Sequence, residues 1–279
     1  MPELPEVQAH AERLTAAYAG TVLERFVPLR FTALKTATPP PEVAHGRPLV
    51  AVDRRGKYLL ADFGELTFVI HLMQGGRLKE DAKPDATPKQ GQARWRFADR
   101  RAWLLTEAGT ERRAGVWCVA TEGRLDAPPL NRLGPEADQL TPAALAERLA
   151  ARSMRLHTFL RDQGCVAGLG RRLANEICHR AKLSPFASTG KLGPSGAETV
   201  LAAIAACVDD GLAYERTRKD MSSSADRPGA VHHRTGETCP VCGATVREVA
   251  YSSYTVNYCP TCQTGGKVLA DNTTSKFLR

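Results

Sequence analysis

The chain has 279 residues, with 38 Lys plus Arg against 30 Asp plus Glu and a net charge of +8, a length that suggests about two domains. Its 43 % hydrophobic and 24 % charged residues exclude disorder as the main state and suffice for a buried core. No run approaches the roughly 18 apolar residues of a membrane span, and MPELPEVQAH lacks the basic and apolar regions of a signal peptide, so a soluble, cytoplasmic protein with no membrane partner is expected.

The first predicted element is a helix. Pro5 suits an early helical position, and Val7, Ala11, Leu14 and Tyr18 recur at helical spacing before Gly20 stops it. Strand patterns follow in TVLERFV, PLVAVDRRGKYLLADF, LTFVIHL, ARWRFADRRAWLLTE and VWCVAT, with RRG and ADRR as hairpin turns and 38–41 and 79–90 as loops. Residues 1 to about 130 therefore read as a β-rich sandwich with a leading helix. From 141 the period becomes helical, in PAALAERLA, SMRLHTFLRDQG, RRLANEICHRAKL and SGAETVLAAIAACVDDGLAYE. The VAGLG break ahead of the third helix reads as a tight turn delivering backbone amides to a helix start, a natural phosphate seat. Close packing is the plainer reading of its glycines. Residues 216–236 are polar and rich in Ser, Gly and Pro, and read as a flexible connector.

Charge and cysteine are unevenly spread. Residues 140–187 hold eight cations and three anions, five of the eight net charges. Such a patch attracts phosphate backbones by counterion release, with a solvated helix face as the alternative. Of eight cysteines, Cys118, Cys165, Cys178 and Cys207 stand singly in apolar surroundings, where cysteine acts as a small hydrophobe. The other four form two Cys-x-x-Cys knuckles, Cys239 with Cys242 and Cys259 with Cys262, sixteen residues apart. Four thiolates close a tetrahedral shell around one structural zinc ion. A reactive dithiol is the rival reading. His232 and His233 read as exposed connector residues and not as further ligands.

The amino terminus carries chemistry of its own. Removal of Met1 would leave Pro2 as a secondary amine, and an α-amine titrates near pH 7.7 to 8, low enough for a nucleophilic fraction at neutral pH. A helix start disfavours a nearby cation and lowers that value further. With Glu3 beside it and Glu6 three residues on, the group suits attack on an electrophilic sugar carbon and iminium formation. A capped helix is the alternative reading of PELPE.

MPELPEV, RRGKYLL around Lys57, HLMQGGRL at His71, ERRAGVW at Arg112, LGPE at Leu133, VAGLG and the two knuckles occur in this order. In that order they resemble the formamidopyrimidine-DNA glycosylase and endonuclease eight family, with MPELPE closer to the formamidopyrimidine branch. The resemblance implies a multidomain α+β protein with an N-terminal catalytic β-sandwich (1–132), a helix-two-turn-helix domain with its linker (133–235), and a zinc finger with a tail (236–279). It implies a monomer acting on double-stranded DNA that contains damaged bases or abasic sites, with the base flipped out of the stack. Pro2 would attack C1′, Glu3 would assist ring opening, Glu6 would support it, and Lys57 would hold a phosphate. Base loss would be followed by β- and δ-elimination. DNA contacts would come from Gln74, Arg112, Arg113, Gly168, Gly170, Arg171 and Tyr254.

Several of these positions depart from the family's pattern. Gln74 stands where the family has a methionine wedge, and the arginine-phenylalanine wedge reads Arg113-Ala114, so apolar filler is lost. Arg171 replaces an asparagine after the turn, Tyr254 replaces a finger arginine that clamps phosphate, and the tail beyond Cys262 is long. A DNA-binding paralogue without catalysis is therefore carried beside the enzyme reading.

Overall fold

The computed structural model describes residues 1–86, 88–221 and 226–269. The end of the tail, 270–279, lies outside them. The chain forms two compact units, 1–133 with 215–221, and 134–214 with the chain from 222 onward.

The first unit opens on α1 (Leu4–Tyr18), followed by β1 (Leu23–Pro28), β2 (Ala51–Arg55), β3 (Tyr58–Asp62), β4 (Leu66–His71), β5 (Gly76–Glu80), β6 (Gly91–Phe97), β7 (Ala102–Glu107) and β8 (Gly115–Ala120). They make two antiparallel four-stranded sheets, ordered β1-β6-β7-β5 and β2-β3-β4-β8. Alternation along β4 explains the layering. Leu66, Phe68 and Ile70 face the main core, while Val69 turns to a second cluster with Leu60, Val119 and Leu130. Phe26 and Trp95 of one sheet meet Phe68 of the other, with ring centroids 5.0 and 5.7 Å from it. Helix α1 buries Val7, Ala11, Leu14 and Tyr18, the predicted stripe. Thr15 Oγ1 fastens it to β2, donating to the Val52 carbonyl (3.0 Å) and accepting the Val52 N–H (2.7 Å).

The second unit contains α2 (Pro142–Ala151), α3 (Leu156–Arg161), α4 (Arg171–Arg180), α5 (Gly193–Arg216), the hairpin β9 (Arg247–Ala250) and β10 (Thr255–Tyr258), and α6 (Pro260–Thr264). Thr141 caps α2 by accepting the Ala144 N–H. Leu156, Phe159 and Leu160 of α3 and Leu173, Ala174 and Ile177 of α4 are fully buried. Cys118, Cys165, Cys178 and Cys207 are buried too, and burial pushes the Cys118 and Cys207 thiols up to about 12, the behaviour of unreactive core cysteines. Among the described residues no helix is long and apolar enough to cross a membrane.

The structure corrects the reading of 216–236 as a flexible connector. Residues 222–225 lie outside the described part, but 227–236 is pinned: Glu176 accepts the backbone N–H groups of Ala230, Val231 and His232. His232, expected to be exposed, is buried and bonds Asn175, whereas His233 is exposed.

Candidate functional site

The amino-terminal residues are built into the start of α1. Glu3 is its N-cap in a reciprocal box: the Glu3 carboxylate takes the Glu6 N–H, and the Glu6 carboxylate takes the Glu3 N–H at 2.9 Å. Pro2 is buried, and Glu3 and Glu6 are 4 % and 1 % exposed. With Met1 attached, the Pro2 nitrogen is a tertiary amide and carries no lone pair for attack.

Lys57 lies in the two-residue turn of the β2–β3 hairpin, between Arg55 and Tyr58, and is 7 % exposed. Gly56 takes a left-handed φ of 56° there, as a tight hairpin turn requires. Arg54 Nε bonds Gln8 Oε1 at 3.1 Å and ties the hairpin to α1. His71, paired with Tyr58 across the sheet, is held near pKa 4 by burial and then by the Lys57 charge. Its Nδ1 accepts the Met73 N–H, which places the ring proton on Nε2.

Two loops of the first unit run side by side. The loop after β4 carries Gln74 and the loop after β7 carries Arg112 and Arg113, and the Ala108 N–H donates to the Gly75 carbonyl at 3.3 Å. A side chain at Gly75 would meet that Ala108 carbonyl at 2.5 Å, so the approach needs glycine. Gln74 is exposed, and Arg113 is exposed beside Glu111. Ala114 does something else: it is fully buried in the core, and its N–H donates to Glu107 at 2.6 Å. Its position in this chain is therefore a packed core position and not a protruding tip.

In the second unit the glycine turn leads into α4. Gly168 has φ of 97° and Gly170 is the N-cap. Gln163 braces the turn through its side chain, accepting the Gly168 N–H at 3.1 Å and donating to the Leu169 carbonyl at 2.7 Å. Arg171, first in the helix, reaches the Ser253 carbonyl at 3.5 Å and so meets the tip of the β9–β10 hairpin. Tyr254 at that tip stacks on Tyr251 at 4.7 Å, and the Arg161 guanidinium lies 3.8 Å over its ring. These contacts bring Gly168, Gly170, Arg171 and Tyr254 together.

The knuckle cysteines converge. Cys242 Sγ lies 3.4 Å from Cys259 Sγ, and Cys239 Sγ lies 4.0 Å from Cys262 Sγ. His179, a residue sequence reasoning missed, joins them: its ring nitrogen and the sulfurs of Cys239, Cys259 and Cys262 all lie within 4.8 Å of one another. A lone histidine inside a helix gives no spacing signal. The four knuckle sulfurs, with this nitrogen beside them, are gathered closely enough to hold one tetrahedral ion and fit one structural zinc.

Comparison with known proteins decides the family. Residues 1–117 match the formamidopyrimidine-DNA glycosylase N-terminal domain, 133–223 its H2TH domain, and 236–265 the zinc finger found in FPG and IleRS. The formamidopyrimidine-DNA glycosylase of Methylococcus capsulatus is 32 % identical over 94 % of this chain and all of its own length. The chain belongs to the formamidopyrimidine-DNA glycosylase family. An uncharacterised formamidopyrimidine-DNA glycosylase-like protein of Mycobacterium tuberculosis is 42 % identical over 54 % of this chain and 98 % of its own. Among solved structures, a Lactococcus lactis formamidopyrimidine-DNA glycosylase, bound non-covalently to DNA containing an abasic site, superposes with a TM-score of 0.83 at 21 % identity, over 94 % of this chain and 99 % of that one. That likeness establishes the fold. The formamidopyrimidine-DNA glycosylases are DNA glycosylases of base excision repair, and both the zinc-finger match and the thiol cluster agree with one zinc ion in this member.

Proposed function

We propose that this protein is a bifunctional DNA glycosylase and abasic-site lyase acting on damaged, double-stranded DNA. The observation that supports the reading is the reciprocal Glu3–Glu6 box, which holds Glu3, the residue after Pro2, as the cap at the positive end of α1. Once Met1 is removed, the Pro2 amine attacks C1′, the bond from C1′ to the damaged base breaks, and Glu3 delivers the proton that opens the sugar ring. The product is an iminium. Loss of a C2′ proton then expels the 3′ phosphate by β-elimination, and a second proton loss expels the 5′ phosphate by δ-elimination. Glu6 holds the Glu3 backbone in place, and Lys57 supplies a cation for the phosphate beside the lesion.

Arg112, Arg113 and Gln74 would face the gap left by a flipped base, and Gly168, Gly170, Arg171 and Tyr254 would hold the backbone through amides and one cation. The damaged-DNA partner is supported by the Lactococcus lactis relative, which was bound to abasic-site DNA. With Gln74 polar and Ala114 in the core, no apolar wedge stands at these positions, which favours abasic or poorly paired lesions over 8-oxoguanine paired with cytosine.

The test is strand cleavage of an abasic duplex by protein freed of Met1 and by protein that retains it. The processed form should leave phosphate on both ends of a one-nucleotide gap, and the unprocessed form should be inert. If neither form cleaves while both bind the duplex, the protein is the non-catalytic paralogue that the altered wedge positions favour.

A further inference from the structure

Helix α4 carries a polar stripe in which Arg172, Asn175 and His179 are buried and Glu176 is half-buried. Arg172, Asn175, Glu176 and His179 recur at i, i+3, i+4 and i+7, so they share one face, and each is bonded to the finger or to the segment that leads into it. Arg172 donates to the Pro228 carbonyl at 2.7 Å, Glu176 gathers the three N–H groups of Ala230, Val231 and His232, and Asn175 bonds His232 and Asn257. His179 is the last of the four, 5 % exposed, with Nε2 3.3 Å from Cys239 Sγ.

Five donors thus compete for a centre with four places: His179, Cys239, Cys259 and Cys262 lie within 4.8 Å of one another, and Cys242 joins them through Cys259. Cys239 and Cys242 both receive backbone N–H groups at sulfur: those of Val241 and Cys242 reach Cys239, and that of Ala244 reaches Cys242. Peptide N–H groups turned onto sulfur stabilise a thiolate, so the loop is shaped to present both of its cysteines to a cation. Cys242 also contacts Cys259 directly. Four thiolates around a divalent zinc leave two net negative charges in a site whose Cys239 and Cys259 are buried and whose Cys242 is exposed, and its buried side gains from every further N–H donor.

We propose that His179 lies outside the zinc shell and donates its Nε2–H to the Cys239 thiolate, which makes α4 a supporting wall of a four-cysteine zinc site. This rests on the structural-zinc reading. Donors of this kind typically carry about 10- to 100-fold in metal affinity. Through the stripe, the ion is coupled to the helix whose first turn holds Gly170 and Arg171. His179 is a positioning residue and takes no part in base chemistry.

The experiment loads the full-length protein with Co²⁺, whose charge-transfer and d–d bands separate four-sulfur from mixed sulfur–nitrogen shells, and then displaces it with Zn²⁺ against a competing chelator. Wild type and His179→Ala should show the same four-sulfur spectrum, while Cys242→Ser changes it. His179→Ala should bind Zn²⁺ about 10- to 100-fold more weakly, and hydrogen exchange should speed up in α4 and at 230–232. His179→Gln, which keeps an N–H donor and disturbs folding least, should recover part of the affinity. A spectrum that changes with His179→Ala or His179→Gln but survives Cys242→Ser would make His179 a ligand and overturn the proposal. So would zinc affinity and exchange unaltered in both His179 variants. If the wild type binds no Co²⁺ or Zn²⁺ at all, the structural-zinc reading fails first.

Discussion

Glu3 holds two posts at once, as the cap of α1 and as the proposed proton carrier, and substitutions separate them. Glu3→Gln keeps an oxygen acceptor for the Glu6 N–H but cannot ionise. Base excision should fall by about 10² to 10⁴, the usual share of acid–base help, with binding of abasic duplex and thermal stability near those of the wild type. A parallel fall in binding, turnover and melting temperature would reduce Glu3 to a cap. Ala114 gives a second test at this scale. The family's arginine-phenylalanine wedge puts phenylalanine at this position, but Ala114 has no exposed surface, so the larger ring of Ala114→Phe overpacks the core. Urea unfolding should show a loss of about 1 to 3 kcal/mol, with no gain in excision from paired duplex. Pro2, Glu3 and Glu6 were legible as candidates because an amine and two acids at a helix start have a chemical logic of their own, while Lys57 was legible as a candidate only through the family resemblance. The burial of Ala114 was not, because one alanine reads alike in a loop and in a core.

Elements were legible where their period ran long enough. The leading helix and the apolar strands follow from alternation and helical spacing, yet β5 was not expected, and its last two residues fall in the expected 79–90 loop. Its sequence GRLKE is short and mostly polar, with Leu78 its one large apolar residue; pairing to β7 makes it a strand. The pinning of 227–236 was equally invisible, since polar connector composition says nothing of a glutamate on a distant helix. At α4 the turn and its first residue give a prediction. Arg171→Ala removes the one cation at the head of this helix that meets the finger tip, so DNA binding should weaken and the slope of log affinity against log salt should drop by about one. Tyr254→Phe keeps the ring under Arg161 and releases no counterion, so its slope should match the wild type. Equal slopes for all three proteins would remove Arg171 from the phosphate contacts.

At the scale of the molecule, four histidines held below the usual imidazole range make acid a denaturant for both units. Burial, and beside it a nearby cation, holds His10 and His71 near pKa 4 in the first unit and His157 near 3 in the second, and burial with the neighbouring His233 holds His232 near 2. Each folded-state value lies below the unfolded value near 6.5, so the unfolded chain binds more protons and stability rises with pH across that window. Between about pH 6.5 and 4, unfolding free energy should fall by roughly 1 kcal/mol per pH unit for each histidine still neutral only in the folded state, readable by denaturation at fixed urea steps. A flat profile from pH 7 to 4.5 would mean that these rings gain protons without unfolding. The central claim is that catalysis runs through the amine of Pro2, and the most direct measurement is borohydride trapping on abasic duplex followed by mass mapping of the adduct. The account predicts one reduced adduct on the amino-terminal peptide, absent when Met1 is retained and sharply reduced in Pro2→Gly. An undiminished adduct in protein that keeps Met1, mapped to a lysine such as Lys57, would contradict it.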